Sequence, residues 1–404
     1  MKFLYKAHKP GEERLIEGEI DAPDKFSISR QMRDQGLILV LAEPKGTKWL
    51  DFQRINEIVV SVKLHDKVTF ANNLSAMISA GLSLSRSLEV LERQTRNPKF
   101  KRALRTIIQD VNDGKSLSTS LAMFPNIFSP VFIAMVAAGE ESGNLPNSLK
   151  IVGDQMEKTY TIQRKVKGAI MYPGVIMVAM IIIGILMLAF VVPNLVSTFK
   201  EFKVDLPLST QFIINLSALV TDHGAYMLIV AVILATILYK WSKTKMGRRI
   251  VDFVVLHTPV ISPIVKQVNT ATTSRTLASL IASGVNMVES LDITARVLQN
   301  SYYKDVLLKA KDGVQKGDPL SVFFQHEEKI FPILLGELTE VGEETGKLSD
   351  MLANVATFYE NEVEAITKDM STVIEPILMV IIGLFVGFFA ISMVQPIYSI
   401  TNAI

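Results

Sequence analysis

The residues whose types and spacing invite chemistry lie in one stretch, VGEETGKLS, from Val341 to Ser349. Two glycines, two carboxylates and a lysine look at first like a phosphate-binding loop. Such a loop needs four residues between its glycines, then Lys and Ser or Thr, because the backbone must curve around the phosphate while the hydroxyl holds magnesium. Here three residues separate Gly342 from Gly346, and Leu348 follows Lys347. The adjacent carboxylates Glu343 and Glu344 would repel a phosphate. A second stretch, GEESGNL, keeps Gly139, Glu140, Glu141 and Gly143 but places Asn144 where the lysine stands. Nucleotide binding is therefore not expected. Each carboxylate pair supplies hard oxygen ligands for a divalent cation, but one pair is too few without further donors. Two other readings remain: a structural turn that closes a helix, with Leu145 and Leu348 packing the next, or a charged turn exposed for partner contact.

Other chemistry is scarce. The chain has no cysteine, which excludes disulfides, cysteine-based metal sites and thiol catalysis. His8, His65, His223, His257 and His326 are scattered, with no metal-ligand spacing. No GxSxG and no GxGxxG after a strand occurs. Neither an enzyme nor a cofactor or metal is expected. The 42 basic and 40 acidic residues nearly cancel, so there is no electrostatic footprint for direct nucleic-acid binding.

The elements that must position these turns are duplicated. Ile78 in ISAGLSLSRSLEVL aligns with Ile281 in IASGVNMVESLDIT, a separation of 203 residues, and Gly139 aligns with Gly342 at the same separation. Pro173 and Pro193 match Pro376 and Pro396 likewise, and no gap is needed from about Phe70 to Phe199. An internal duplication follows. In each copy, apolar residues recur at helical spacing between helix signals: Gly81, Asn97-Pro98, Asp113-Gly114 and Ser129-Pro130 in the first, Gly284, Asp318-Pro319 and Phe331-Pro332 in the second.

The expected fold is mainly α: two homologous cytoplasmic bundles of about six helices each, three transmembrane helices and a small N-terminal α/β appendage. The appendage covers 1–43, with alternating Phe3, Tyr5 and Ala7, a turn at Pro10-Gly11, one helix over 24–35 and a strand at LILVL. A linker follows over 44–66. The first bundle spans 67–168 and the second 241–371. The expected spans are 169–196, 223–240 and 372–398, with an outer loop and amphipathic helix over 197–222 and an outer tail over 399–404.

The span readings rest on charge-free runs: 32 residues between Lys167 and Lys200, and the last 29 after Glu375. Both exceed the roughly 20 apolar residues that cross a bilayer. Within each copy the paired prolines lie 20 residues apart, about 30 Å along a helix. They are expected at the membrane edges, together with Tyr172 and Glu375, where a missing donor costs least. Arg164, Lys165 and Lys167 at one span and Lys240, Lys243, Lys245, Arg248 and Arg249 at another place these ends in the cytosol. The opening MKFLYKAHKPGEERL has no apolar signal core, so the N-terminus is expected in the cytosol and the C-terminus outside. The two copies then cross in parallel, unlike the inverted repeats common in transporters. Gly383 and Gly387 form a GxxxG pattern for helix packing, within the chain or between copies.

These residues resemble the type II secretion system F family, which includes the inner-membrane platform proteins of type IV pili. The resemblance is carried in the first copy by Phe70, Gly81, Gly114, Ser116-Leu117, Phe128, Gly139-Glu140, Gly143, Tyr172-Pro173 and Pro193. The second copy carries it in Gly284, Gly317, Gly342-Glu343-Glu344-Thr345-Gly346, Glu375-Pro376 and Pro396. It implies a non-enzymatic platform in the cytoplasmic (inner) membrane, multi-pass and homo-oligomeric. Its implied partners are a hexameric cytosolic assembly ATPase, pilin or pseudopilin transmembrane helices, other inner-membrane assembly proteins and the lipid bilayer. The alternative is a membrane transporter or channel component, whose spans should hold ionisable or broken segments; these spans hold neither.

Overall fold

The computed structural model describes residues 2–8, 15–22, 25–34, 37–44, 61–201, 207–259 and 261–403. The turn expected at Pro10-Gly11 and most of the 44–66 linker lie outside them. The chain divides into two units, 1–62 with 95–102, and the remainder. In the first, strands β1 (Lys2–His8), β2 (Leu15–Asp21) and β3 (Ile38–Pro44) form an antiparallel sheet in the order β2-β1-β3, with helix α1 (Lys25–Asp34) before β3. Tyr5 pairs with Gly18 on one side and Ala42 on the other. Ala22, Ile28 and Met32 form a small core with Ile20 and Leu37. Strand β2 is absent from the sequence reading, since LIEGEID carries three carboxylates and a glycine that depress strand propensity.

From residue 61 onward every regular element among the described residues is helical. The first copy comprises α2 (Leu64–Ser79), α3 (Leu84–Gln94), α4 (Pro98–Asn112), α5 (Leu117–Ala122), α6 (Pro130–Glu141) and α7 (Leu145–Leu186). A short π-helix, Met187–Val191, leads into α8 (Val192–Glu201), then α9 (Leu208–Ser242) and α10 (Lys245–His257). The second copy comprises α11 (Ser262–Ala282), α12 (Met287–Val297), α13 (Ser301–Val314), α14 (Leu320–Gln325), α15 (Ile333–Thr345) and α16 (Leu348–Ala403). The starts of α3 to α7 and of α12 to α16 differ by 203 residues throughout.

Local chemistry accounts for these boundaries. Asn97 Oδ1 accepts from Phe100 N at 3.1 Å, and Ser129 Oγ from Phe132 N at 3.3 Å, each with proline at the next position to start a helix. Packing supplies the rest. In the first copy Phe70, Phe128 and Phe132 cluster with ring centroids 5.1 to 6.3 Å apart. In the second, Phe331 meets Tyr303 and Phe324 edge-on at 4.8 and 5.0 Å. Each such ring, fully buried, contributes about 1.5–3 kcal/mol.

The structure departs from the sequence reading at the passage from bundle to span. No break separates them: α7 runs 42 residues and α16 runs 56, each closing its bundle and continuing as an apolar helix. At about 1.5 Å per residue they measure roughly 63 and 84 Å. Pro173 and Pro376 lie inside these helices.

Candidate functional site

The two GExxG turns are built alike, and each residue type has a mechanical reason. Gly139 and Gly342 are buried where α6 meets the start of α7 and α15 meets the start of α16. A Cβ on Gly139 would sit 2.7 Å from Ser148 Cβ, and one on Gly342 would sit 2.9 Å from Leu348 Cα, so only hydrogen fits. Glu140 reaches across the bundle to the start of α5, accepting from Leu117 N at 2.5 Å and Ser118 N at 2.9 Å. Glu343 does the same for α14, with Leu320 N at 2.6 Å and Ser321 N at 3.1 Å. Each carboxylate thus satisfies two orphan amides at a positive helix end. Gly143 and Gly346 take the left-handed conformation, φ 69° and 68°, which ends the helix without Cβ strain. Asn144 N then bonds Gly139 O at 2.9 Å, and Lys347 N bonds Gly342 O at 3.0 Å.

One carboxylate of each pair is therefore committed inside the fold, while Glu141 and Glu344 are exposed. The copies differ in one respect. Ser116 Oγ also caps α5 by accepting from Thr119 N at 3.2 Å, whereas α14 begins after Pro319 with no side-chain cap.

A second set of contacts joins the copies. Ile162 of α7 packs into the core of the second bundle, and Gln155 Nε2 donates to Thr276 Oγ1 at 3.1 Å. Lys165 pairs with Glu364 at 2.5 Å, and the ammonium holds that carboxyl below its ordinary range. Below them Ala169 and Ile264 pack with Val166, Val268, Ile366 and Ile374. Within the second copy Arg275 binds Glu360 through two nitrogens, at 2.7 and 2.9 Å, and Thr357 at 2.9 Å.

The π-helix after α7 and the far end of α16 are each tied to α9 beside a proline. Pro193 has no N–H, and the π-helix before it leaves the Leu188 carbonyl without its i+5 donor. Ser217 Oγ of α9 donates to that carbonyl at 2.5 Å. Pro396 likewise leaves Ser392 O without an i+4 donor, and Thr210 Oγ1 of α9 donates to it at 2.6 Å in a fully buried contact. Val192, Ile213 and Phe389 close the apolar core between them. One arm of α9, Leu208–Gly224, thus replaces both donors that proline removes. It bends by 88° from the other arm, Tyr226–Ser242, at His223, whose φ of −126° and ψ of 17° are not helical.

Gly383 and Gly387 pack against no atom within 4 Å of an added Cβ, so the GxxxG pattern is not an intrachain seam among the described residues. Its counterpart Gly184 is: Phe385 lies 3.0 Å from the Cβ position there. Tyr172, Glu375 and Pro376 are exposed, and Pro173 is half-buried. Neither Thr210 nor Ser217 figured in the sequence reading. A proline inside an apolar helix implies an orphan carbonyl, but only the fold says which hydroxyl reaches it.

Among the described residues no three His, Asp or Glu side chains gather closely enough for a metal ion. By length and composition α7 and its extension through Val196, and Ile374–Gln395 in α16, can cross a membrane. The type II secretion system protein F model matches this chain twice, over 70–193 and 273–396, again 203 residues apart. The chain is 34% identical over 403 residues to the type IV pilus assembly protein PilC of Thermus thermophilus, covering 100% of this chain and 98% of that protein. It is 32% identical to PilC of Myxococcus xanthus, over 100% and 96%. With the type II secretion system protein F of Aeromonas hydrophila the identity is 30%, over 93% and 97%. The two family-model matches, which together cover more than half of the chain, and the end-to-end similarity to these relatives place this inner-membrane chain in the type II secretion system protein F family.

Proposed function

We propose that the chain is a non-enzymatic platform that couples a cytosolic assembly ATPase, hexameric and docked on the bundles, to polymerisation of pilin or pseudopilin subunits in the bilayer. The observation that carries this reading is the continuity of α7 and α16. A torque or displacement applied to either bundle would travel along one continuous helix from the bundle into its apolar segment. The seam through Ile162, Gln155 and Lys165 makes the two helices move together. The exposed Glu141 and Glu344 are candidate ATPase contacts, and the open face at Gly383 and Gly387 is a candidate contact with a second copy. An exposed apolar groove between the paired helices, lined by Ile183, Met187, Phe385 and Phe389, is a candidate contact for a pilin-type transmembrane helix. In this reading Tyr226–Ser242 is a third span, the N-terminus is cytosolic and the C-terminus lies outside.

The test is a flexible insert, Gly-Ser-Gly-Ser, after the exposed Gly168. The variant should still enter the membrane and copurify with its ATPase, yet assemble no filament and secrete nothing. Normal assembly from that variant, or from a strain lacking the gene, refutes the coupling. Topology is read on the naturally cysteine-free chain: Lys203→Cys, outside the described residues, should label from the exterior and Lys245→Cys should not.

A further inference from the structure

Helix α10 has its faces reversed. In a helix packed on a soluble core the apolar side faces inward and the charged side faces water. In α10 three charged residues, Arg248, Arg249 and Asp252, bond to the second bundle. Arg248 donates to Gln299 O, Asp252 accepts from Ser301 N at 2.8 Å, and Arg249 pairs with Asp305 at 3.5 Å while lying 5.4 Å from the Tyr302 ring. Leu256 alone enters the core. The opposite face presents Met246 at 74% exposure, Ile250 at 43%, Phe253 at 49% and Val254 at 55%.

The attachment of α10 is rigid and short. Only Lys243 and Thr244 separate it from the apolar arm Tyr226–Ser242. Thr244 Oγ1 donates to Trp241 O at 2.7 Å and accepts from Gly247 N at 3.1 Å. A Cβ on Gly247 would lie 2.1 Å from that same carbonyl, so glycine lets the first turn of α10 sit directly on the end of the arm. Around this elbow Tyr239, Lys240, Trp241, Lys243 and Lys245 are exposed, with Lys243 5.3 Å from the Tyr239 ring. Aromatic and basic residues together mark the headgroup depth of a bilayer, and clustered lysines there attract anionic lipid.

We propose that α10 is an interfacial helix: its Met246, Ile250, Phe253 and Val254 face lies in the headgroup layer of the bilayer, and Lys240, Lys243 and Lys245 bind anionic phospholipid. The occupant is the membrane because only Lys243 and Thr244 separate this exposed apolar face from the exposed apolar arm, and Tyr239, Trp241 and three lysines gather at their junction. The arrangement docks the second bundle to the leaflet through α10 rather than leaving it on a tether. It rests on reading Tyr226–Ser242 as a span.

The test uses the full-length chain in nanodiscs of phosphatidylcholine with or without phosphatidylglycerol. Single cysteines at Ile250, Phe253, Leu234 and Lys316 carry an environment-sensitive fluorophore. The Phe253 and Ile250 labels should be quenched by a nitroxide lipid labelled near the headgroup and shielded from aqueous iodide; Lys316 should behave oppositely. Iodide quenching of Phe253 equal to that of Lys316 overturns the proposal, as does shielding from both quenchers, which would mean a protein cover. Failure of quenching at Leu234 by a nitroxide lipid labelled deep in the acyl chain would instead overturn the span reading. Nitroxide-labelled phosphatidylglycerol should quench at least about twofold more than the phosphatidylcholine probe, and Lys243→Glu with Lys245→Glu should abolish that excess. An excess absent from the parent, or unchanged in the variant, removes the anionic-lipid assignment.

Discussion

Glu343→Gln should loosen the start of α14 far more than Glu140→Gln loosens the start of α5. Each carboxylate accepts two backbone amides, and hydrogen bonds to a charged acceptor contribute about 1.5–3 kcal/mol each, against about 0.5–1.5 for neutral ones. The amide keeps one acceptor, turns an NH2 toward the second amide and removes about 0.3–1 kcal/mol of interaction with the helix end. The net loss for α14 is about 2 kcal/mol, because Pro319 provides no other cap. In α5 the Ser116 hydroxyl still holds the first turn, which reduces the loss by about 1 kcal/mol. Global unfolding of a chain with two helical bundles does not follow a two-state transition, so the assay is local amide hydrogen exchange of the full-length protein. Exchange across 320–325 should accelerate about 30-fold in Glu343→Gln, and across 117–122 about fivefold in Glu140→Gln, at 1.4 kcal/mol per tenfold. Unchanged exchange in the first variant, or greater sensitivity in the second, refutes the capping role and its asymmetry.

Thr210→Val should cost about 1–3 kcal/mol by leaving Ser392 O unpaired in an apolar site, and Pro396→Ala should cancel most of that loss by restoring the intrahelical donor; additive effects in a double-mutant cycle would refute the pairing. Arg275→Met should destabilise the second bundle by about 3–5 kcal/mol, since it strands a buried Glu360. Adding Glu360→Leu should recover most of it, and amide exchange across α11 and 355–363 that fails to recover counts against the pair. Gly247→Ala should cost about 1–3 kcal/mol through collision with the Trp241 carbonyl. Wild-type amide exchange across 245–257 in that variant would show that the elbow is slack.

Much of this molecule is legible in one dimension because its signals are local. The serine and proline at 129–130, the asparagine and proline at 97–98 and the helix-ending glycines at 81, 114, 143, 284, 317 and 346 act through their nearest neighbours, so these helix ends follow from residue type. Duplication is legible too, since an offset needs no geometry, and the apolar runs are long enough to imply a membrane without a fold. Strand β2 was not legible, because its identity comes from pairing with β1 and not from LIEGEID itself.

Three features were decided only in three dimensions. In the sequence Glu140 and Glu141 are equivalent neighbours; the bundle turns one onto a helix start 23 residues away and leaves the other in solvent. Gly387 and its counterpart Gly184 occupy equivalent positions in their copies, but only Gly184 faces the neighbouring helix. Helix α10 lies inside the 241–371 stretch expected as the second bundle, yet of its apolar residues only Leu256 joins the buried core, and the bundle bonds Arg248, Arg249 and Asp252 of α10. In each case sequence supplies the chemical capacity of a side chain, while its direction depends on which surfaces the rest of the chain has already covered.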